Sequence, residues 1–184
     1  VGIELSNNQQ DEESTTLRKK IRKAMAWALI QYIDNLSSTK EGENVIAQLH
    51  QRGICTESIA SFEIGMAPDS WTFLSDKIGN NDDRIKTGVE AGLLKKKEST
   101  SRVYDAFRNR IMFPIFDETG SPIAFGGRRI NKEDEPKYIN SPETELFHKS
   151  NTLYGYHLAR PEIQKENRAI VVEGYTDVIA CHQV

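Results

Sequence analysis

Two carboxylates, Glu173 and Asp177, stand four residues apart in the stretch VVEGYTDVIA near the end of this 184-residue chain. The preceding RAIVVE is a continuous apolar run of the kind found in a parallel strand covered on both faces. Gly174 then turns the chain into a helix expected to begin near Thr176. Strand, glycine turn and helix make the first half of a β–α–β unit, and in open α/β sheets ligands gather at the carboxyl end of the strand. Both acids can then overhang one crevice, where they could move a proton or hold a divalent cation. The spacing equally allows Asp177 to be a helix-start carboxylate favoured by the macrodipole, with Glu173 merely solvated. Two acids are too few for tight Mg²⁺ binding, so further ligands are expected downstream.

A second constellation lies between residues 102 and 149, where Arg102, Arg108, Arg110, Arg128, Arg129, Lys132, Lys137 and Lys149 are interleaved with Tyr104, Phe107, Tyr138 and Phe147. Cations, aromatic rings and the amide of Asn140 are the ingredients for tracking a phosphate backbone and stacking bases. Acids balance the bases over this stretch, so only local clustering could produce an anion-binding surface.

The elements that must position these groups follow from pattern. Leu17, Ile21, Ala24, Met25, Ala28, Tyr32 and Leu36 recur at helical spacing and predict a helix over about 15–36, after a polar, aperiodic arm at 1–13. Its cationic face, Arg18, Lys19, Arg22 and Lys23, reads as solvated rather than as a phosphate or lipid contact. GENVIAQLHQRGIC predicts a second helix ending near Gly53 at a left-handed cap, and TESIASFEIG a third. MAPDSW breaks the chain, and WTFLSDKIG and IKTGVEAGLL predict two more short helices. From about residue 102 the signal is sheet: RIMFPIF and PIAFGGRRI flank the turn DETG as a hairpin, with Pro114 expected at an edge or bulge. NKEDEPKYINSPETELFHKS is a long aperiodic loop, of the kind that is usually functional, and LYGYHLARPEIQKEN predicts a short helix.

Composition narrows the classes. With 38% hydrophobic and 28% charged residues the chain is globular, and a formal net charge of −3 offers no global basic field for nucleic acid. Cys55 and Cys181 match no metal-ligand spacing and suit a reducing cytosol, and neither a membrane span nor a signal peptide is present.

In this order and spacing, YDAFRNRIMFPIFDETGSPIAFGGRRI, PKYINSPETELFHKSNTLYG and VVEGYTDVIA resemble the catalytic core of bacterial replicative primases of the DnaG type. The resemblance runs from about residue 15 to the last residue and is weaker in the helical part around LHQRGICTESIASFEIGMAPDSW. It implies an α+β chain: a linker remnant at 1–14, an N-terminal mixed helical and β subdomain at 15–148, and at 149–184 the first strand and helix of a toprim subdomain with its parallel sheet. It also implies a longer protein, since the family's aspartate pair, its zinc-binding domain and its helicase-binding domain all fall outside these residues. Zinc would belong only to that absent domain.

Residue by residue, the resemblance implies the following roles. Glu173 would handle the proton of the primer 3′-hydroxyl or help hold Mg²⁺ or Mn²⁺, and Asp177 would orient metal water. Lys137, Lys149 and Arg128 would neutralise triphosphate or template charge, with Arg108 and Arg110 beside them on the incoming strand. Arg52 would meet single-stranded template more peripherally, and Asn140 matches an asparagine of the family's loop. The family usually reads EGYMD here, so Thr176 is a departure that leaves both carboxylates in place. The implied activity is metal-dependent synthesis of short RNA primers on single-stranded DNA from ribonucleoside triphosphates in the bacterial cytoplasm. Replicative helicase and single-strand binding protein would engage through the absent domains. The 184 residues alone are expected to be inactive and to self-associate along RAIVVE. A non-catalytic single-stranded-DNA binding module is the alternative; a toprim nuclease or topoisomerase fits less well, since PKYINSPET has no place in either.

Overall fold

The computed structural model describes residues 6–184 except 98 and 101, with side chains from residue 12 onward. Helix α1 (Ser6–Ser38) carries Ile21, Met25, Ala28, Leu29, Tyr32 and Leu36 as one buried stripe, as its periodicity requires. It starts earlier than the apolar pattern predicts: residues 6–14, read as an aperiodic arm, continue the helix, while 1–5 lie outside the described residues. The cationic face is not simply solvated. Arg22 is paired with Asp117 at 2.6 Å and Arg18 donates to the Glu145 carbonyl at 3.1 Å, so this face docks onto the hairpin turn and the loop beyond it.

Thr39 turns α1 into α2 (Lys40–Gln51), its hydroxyl accepting from the Gly42 amide at 3.0 Å. At the far end Gly53 has φ +80°, and the amides of Gly53 and Ile54 bond back to His50 and Leu49, which closes the helix as predicted. Helix α3 (Thr56–Ser61) follows, then strand β1 (Gly65–Ala67), helices α4 (Phe73–Ile78) and α5 (Asp82–Glu90), and strands β2 (Leu94–Lys96) and β3 (Val103–Asp105). Strands β4 (Arg110–Phe116) and β5 (Pro122–Arg129) are the predicted hairpin, and β6 (Tyr138–Asn140) rises out of the segment read as loop. The fold is α+β, with an antiparallel sheet ordered β1-β4-β5-β6 and a separate β2-β3 ribbon.

The sheet is covered on both faces. Met112 and Phe125 face α1 in one core with Ala67, Phe107 and the α4–β2 region, while Ile111 and Phe113 face a second core built with Val45, Leu49, Phe62, Ile64 and Ile179. Pro114 lies just past the last β1 pair, Gly65 opposite Met112, and beside an irregularity at Ile115/Phe116, so its missing N–H interrupts no ladder.

The C-terminal part differs from expectation. After a 3₁₀ turn (Lys149–Asn151) come α6 (Tyr156–Glu166) and α7 (Tyr175–His182), the latter starting where the sequence predicts. RAIVVE between them is not a strand. Among the described residues no strand pairs with it, and Ile170 and Val171 are 76% and 80% exposed. An apolar β-branched run specifies a strand only when partners accept its backbone bonds, and none lies alongside. Helix α7 is held instead by Ile179, buried in the second core, and by the Gln183 side chain. That amide donates to the Gly53 carbonyl at 2.6 Å and accepts from the Cys55 amide at 2.9 Å.

Candidate nucleic-acid and nucleotide site

The β5–β6 pairing sets Gly126 opposite Asn140 and Arg128 opposite Tyr138, so one face of the sheet edge presents a guanidinium, a phenol and an amide in a row. The Arg128 guanidinium lies 5.9 Å from the Tyr138 ring centre and its Nε donates to the phenol oxygen at 3.1 Å. The Lys137 ammonium lies 5.5 Å from the same ring. Neither cation is paired with a carboxylate among the described residues, whereas Arg22, Arg108 and Arg129 are. Two cations beside an exposed aromatic ring, neither neutralised by a carboxylate among the described residues, suit an anionic ligand.

The acids reach this edge through Tyr175, the residue between them. Its ring stacks on Phe113 at 5.3 Å, meets Tyr154 edge-on at 4.7 Å and lies over Gly126, where a Cβ would come within 2.5 Å of ring atoms. Only glycine fits beneath it. Its hydroxyl donates to Asn140 Oδ1 at 2.7 Å. Burial, helped by the Tyr138 phenol, pushes the Tyr175 pKa up to about 12, so the hydroxyl stays protonated and donating. Behind it, burial raises the Tyr154 pKa further, and that hydroxyl has no partner among the described residues.

Glu173 is exposed and its carboxylate makes no hydrogen bond with the described residues. Asp177 does cap: its Oδ2 accepts from the Gly174 amide at 3.1 Å, the helix-start role that the spacing allowed, and Oδ1 is left over. Among the described residues no three His, Cys, Asp or Glu side chains gather as a metal cluster.

The remaining expected site residues separate. Arg110 is 5% exposed and donates to the carbonyls of Pro136 and Lys137 at 2.5 and 3.4 Å; burial lowers its pKa. The structure thus turns the Arg110 guanidinium to the base of the 131–137 loop rather than to the exposed sheet edge. Arg108 pairs with Asp69 and lies 4.5 Å from the centre of Trp71, a ring that is 54% exposed and also meets Tyr104. Lys149 opens the 3₁₀ turn, its amide bonded to Glu143 at 3.0 Å, and Arg52 caps α2; the structure gives neither side chain a contact with the Arg128–Tyr138–Asn140 row. Tyr175 and Trp71 escape sequence reasoning, although an aromatic residue set between two acids is a signal for the first.

The order of expected loop and strands is also anchored chemically. Buried Ser141 continues β6, its amide bonding the Phe125 carbonyl at 2.8 Å and its hydroxyl accepting the Phe125 amide at 3.0 Å. The segment that bears Lys137 and Asn140 is thereby fixed to the sheet.

Comparison with known proteins gives the same outline. Residues 31–160 match the family model described as DNA primase catalytic core, N-terminal domain. A DNA primase of Halalkalibacterium halodurans is 46% identical over 145 residues, covering 79% of this chain and 24% of that protein. A DNA primase of Synechocystis is 41% identical over 183 residues, covering 98% of this chain and 28% of that protein. A solved DnaG primase catalytic domain bound to single-stranded DNA superposes with a TM-score of 0.84 at 38% identity, over 92% of this chain and 52% of that one. The chain thus spans about a quarter of the length of these curated relatives and about half of the solved domain. With its two-faced antiparallel sheet, its β5–β6 edge and its motifs in this order, the chain belongs to the family of the DNA primase catalytic core, N-terminal domain.

Proposed function

We propose that these residues form the template- and nucleotide-binding part of a primase active site that makes short RNA primers on single-stranded DNA. The observation that carries the reading is the meeting of the EGYTD segment with the Arg128–Tyr138–Asn140 edge through the Tyr175 to Asn140 hydrogen bond. Arg128 and Lys137, joined by Lys149 from the 3₁₀ turn, neutralise the phosphates of a ribonucleoside triphosphate or of template, without reading base identity. Glu173 accepts the proton of the attacking 3′-hydroxyl. Arg108 on Trp71, and Arg52 more distantly, guide the single strand.

The acids fit a hard divalent cation such as Mg²⁺ or Mn²⁺, which is commonly held by one or two carboxylates together with substrate phosphates. Glu173 and the spare Oδ1 of Asp177 would hold it. Bound there, the ion would supply charge neutralisation for phosphoryl transfer. Among the described residues only these two acids stand at the site, and the 184 residues by themselves are expected not to synthesise primers. The start of a toprim subdomain at 149–184, the bacterial cytoplasm as location, and helicase and single-strand binding protein as partners through other domains complete the reading.

A second reading, a non-catalytic single-strand binding module, is favoured by the exposed Trp71 under Arg108. One experiment separates the two. In the complete gene product, Glu173→Gln should abolish primer synthesis with Mg²⁺ while leaving template affinity almost intact. Lys137→Ala should weaken strand or nucleotide binding and flatten its salt dependence by roughly 0.7 logarithmic units per lost phosphate contact. A wild-type protein that binds single strands without synthesis selects the module. An unchanged salt slope in Lys137→Ala removes that lysine from the groove.

A further inference from the structure

The geometry around the EGYTD segment leaves one residue without a chemical role of its own. Tyr175 carries neither a charge nor a free donor, yet it has the densest set of partners at the site. Its ring is fixed on three sides by Phe113, Tyr154 and the bare backbone of Gly126, and its hydroxyl ends on Asn140. An O–H that donates to the amide oxygen settles which way the amide faces. With Oδ1 accepting from the tyrosine, Nδ2 keeps two N–H donors that make no hydrogen bond among the described residues, on an exposed residue in the same row as Arg128 and Tyr138. An amide whose oxygen is engaged in this way has both N–H donors left for an anionic ligand.

The same contact fixes a second quantity. Glu173 and Asp177 flank Tyr175 by two residues on either side, and RAIVVE before them has no strand partner among the described residues. The tyrosine therefore ties the acidic segment to the β6 edge, alongside the anchors Ile179 and Gln183 farther along α7. Ring stacking sets its depth, and the hydroxyl sets its register along β6.

We infer that Tyr175 is the positioning residue of this site, holding the Asn140 amide as a fixed donor toward substrate phosphate and holding the two carboxylates in register with the Arg128–Lys137 edge. The inference rests on the primase reading and adds to it a residue that touches no reacting atom.

The test uses the complete gene product with Tyr175→Phe, Asn140→Ala and the double variant. Phenylalanine keeps the stacking and loses only the hydroxyl, so the melting temperature and the affinity for single-stranded template should stay at wild-type values. The expected result is a fall in kcat for primer synthesis of about tenfold in Tyr175→Phe, the scale of one lost hydrogen bond that matters in the transition state. Asn140→Ala should show a similar or larger fall, and the double variant should be no slower than Asn140→Ala alone, since the two residues act as one unit. Wild-type kcat in Tyr175→Phe, with an active parent, overturns the inference while the primase reading stands. Losses that multiply in the double variant overturn the coupling. A fall in kcat matched by equal falls in melting temperature and template affinity would mean a structural role only. An inactive parent sinks the primase reading, and the inference falls with it.

Discussion

The sheet and its flanking helices, up to about residue 148, contrast with the segment from 149 onward. In the first region both faces of β4 and β5 are buried, one against α1 and one against α2 and α3, and every residue of β4 is shielded from solvent. In the second, α6 has no fully buried residue, α7 has one, and an apolar run between them faces solvent. The cations of the candidate site therefore stand on a rigid frame, and the acids stand on a segment held by a few specific contacts. A candidate site split in this way keeps its cationic half preformed and leaves the relative placement of its acidic half to Tyr175, Ile179 and Gln183.

The contrast can be broken most strongly from the frame. Phe125→Ala empties a fully buried ring position where Tyr32 and Phe107 make edge contacts, and should cost about 3–5 kcal/mol of global stability. Denaturant unfolding should show one earlier transition for the whole chain; an unchanged midpoint would mean that the two cores are not a single cooperative unit. Gly126→Ala should act on the other region. Its methyl would lie within 2.5 Å of the Tyr175 ring, so the tyrosine must leave, at about 1–3 kcal/mol. Hydrogen exchange should then rise in α7 and little in β4 and β5, and uniform loss of protection would contradict the division drawn here.

Gln183→Ala removes two bonds to the backbone between α2 and α3 and should loosen α7 by about 1 kcal/mol, read as faster exchange confined to that helix. The smallest effect is in pH. Burial holds the His157 pKa below its usual 6.5, with nearby His182 adding to this and Asp117 opposing it, and its Nδ1 is buried beside Phe116 without a partner among the described residues. The folded state therefore favours the neutral ring. Its contribution is complete above pH 6.5 and declines as pH falls toward the lowered value, because the unfolded chain takes up the proton first. Asp117 behaves at lower pH: burial alone would raise it, but bonds from Thr119, Arg22 and Ser121 bring it from 3.8 to about 2. Its contribution is present above pH 3.8 and is lost between there and about 2. Acid titration followed by exchange should thus loosen α6 as pH falls below 6.5, before the α1–hairpin contact gives way between pH 3.8 and about 2; the reverse order would refute the assignment.

Much of the frame was legible in the residues. The α1 stripe, the DETG hairpin and the Gly53 cap each carry a local signal that survives folding, because burial period and positive φ are properties of the segment itself. GMA, LKK and YIN are strands of three residues, too short for any period to appear. RAIVVE shows the opposite failure, a strong strand pattern without neighbours. At the site, Glu173, Asp177 and the cations are visible as residue types. That Arg110 is buried while Arg128 stays open depends on strand register, and that Tyr175 rests on Gly126 depends on two segments far apart in sequence.

The double attachment of α7 has a mechanical meaning. Eight residues of helix make a stiff rod of about 12 Å. One end is pinned to β6 through Tyr175 and the other to the α2–α3 corner through Gln183, next to Arg52. Such a rod transmits displacement rather than absorbing it. A displacement of the Gly53–Cys55 corner would pass along the rod's axis to the Glu173–Asp177 end, so position at one end and alignment at the other are two readings of one lever.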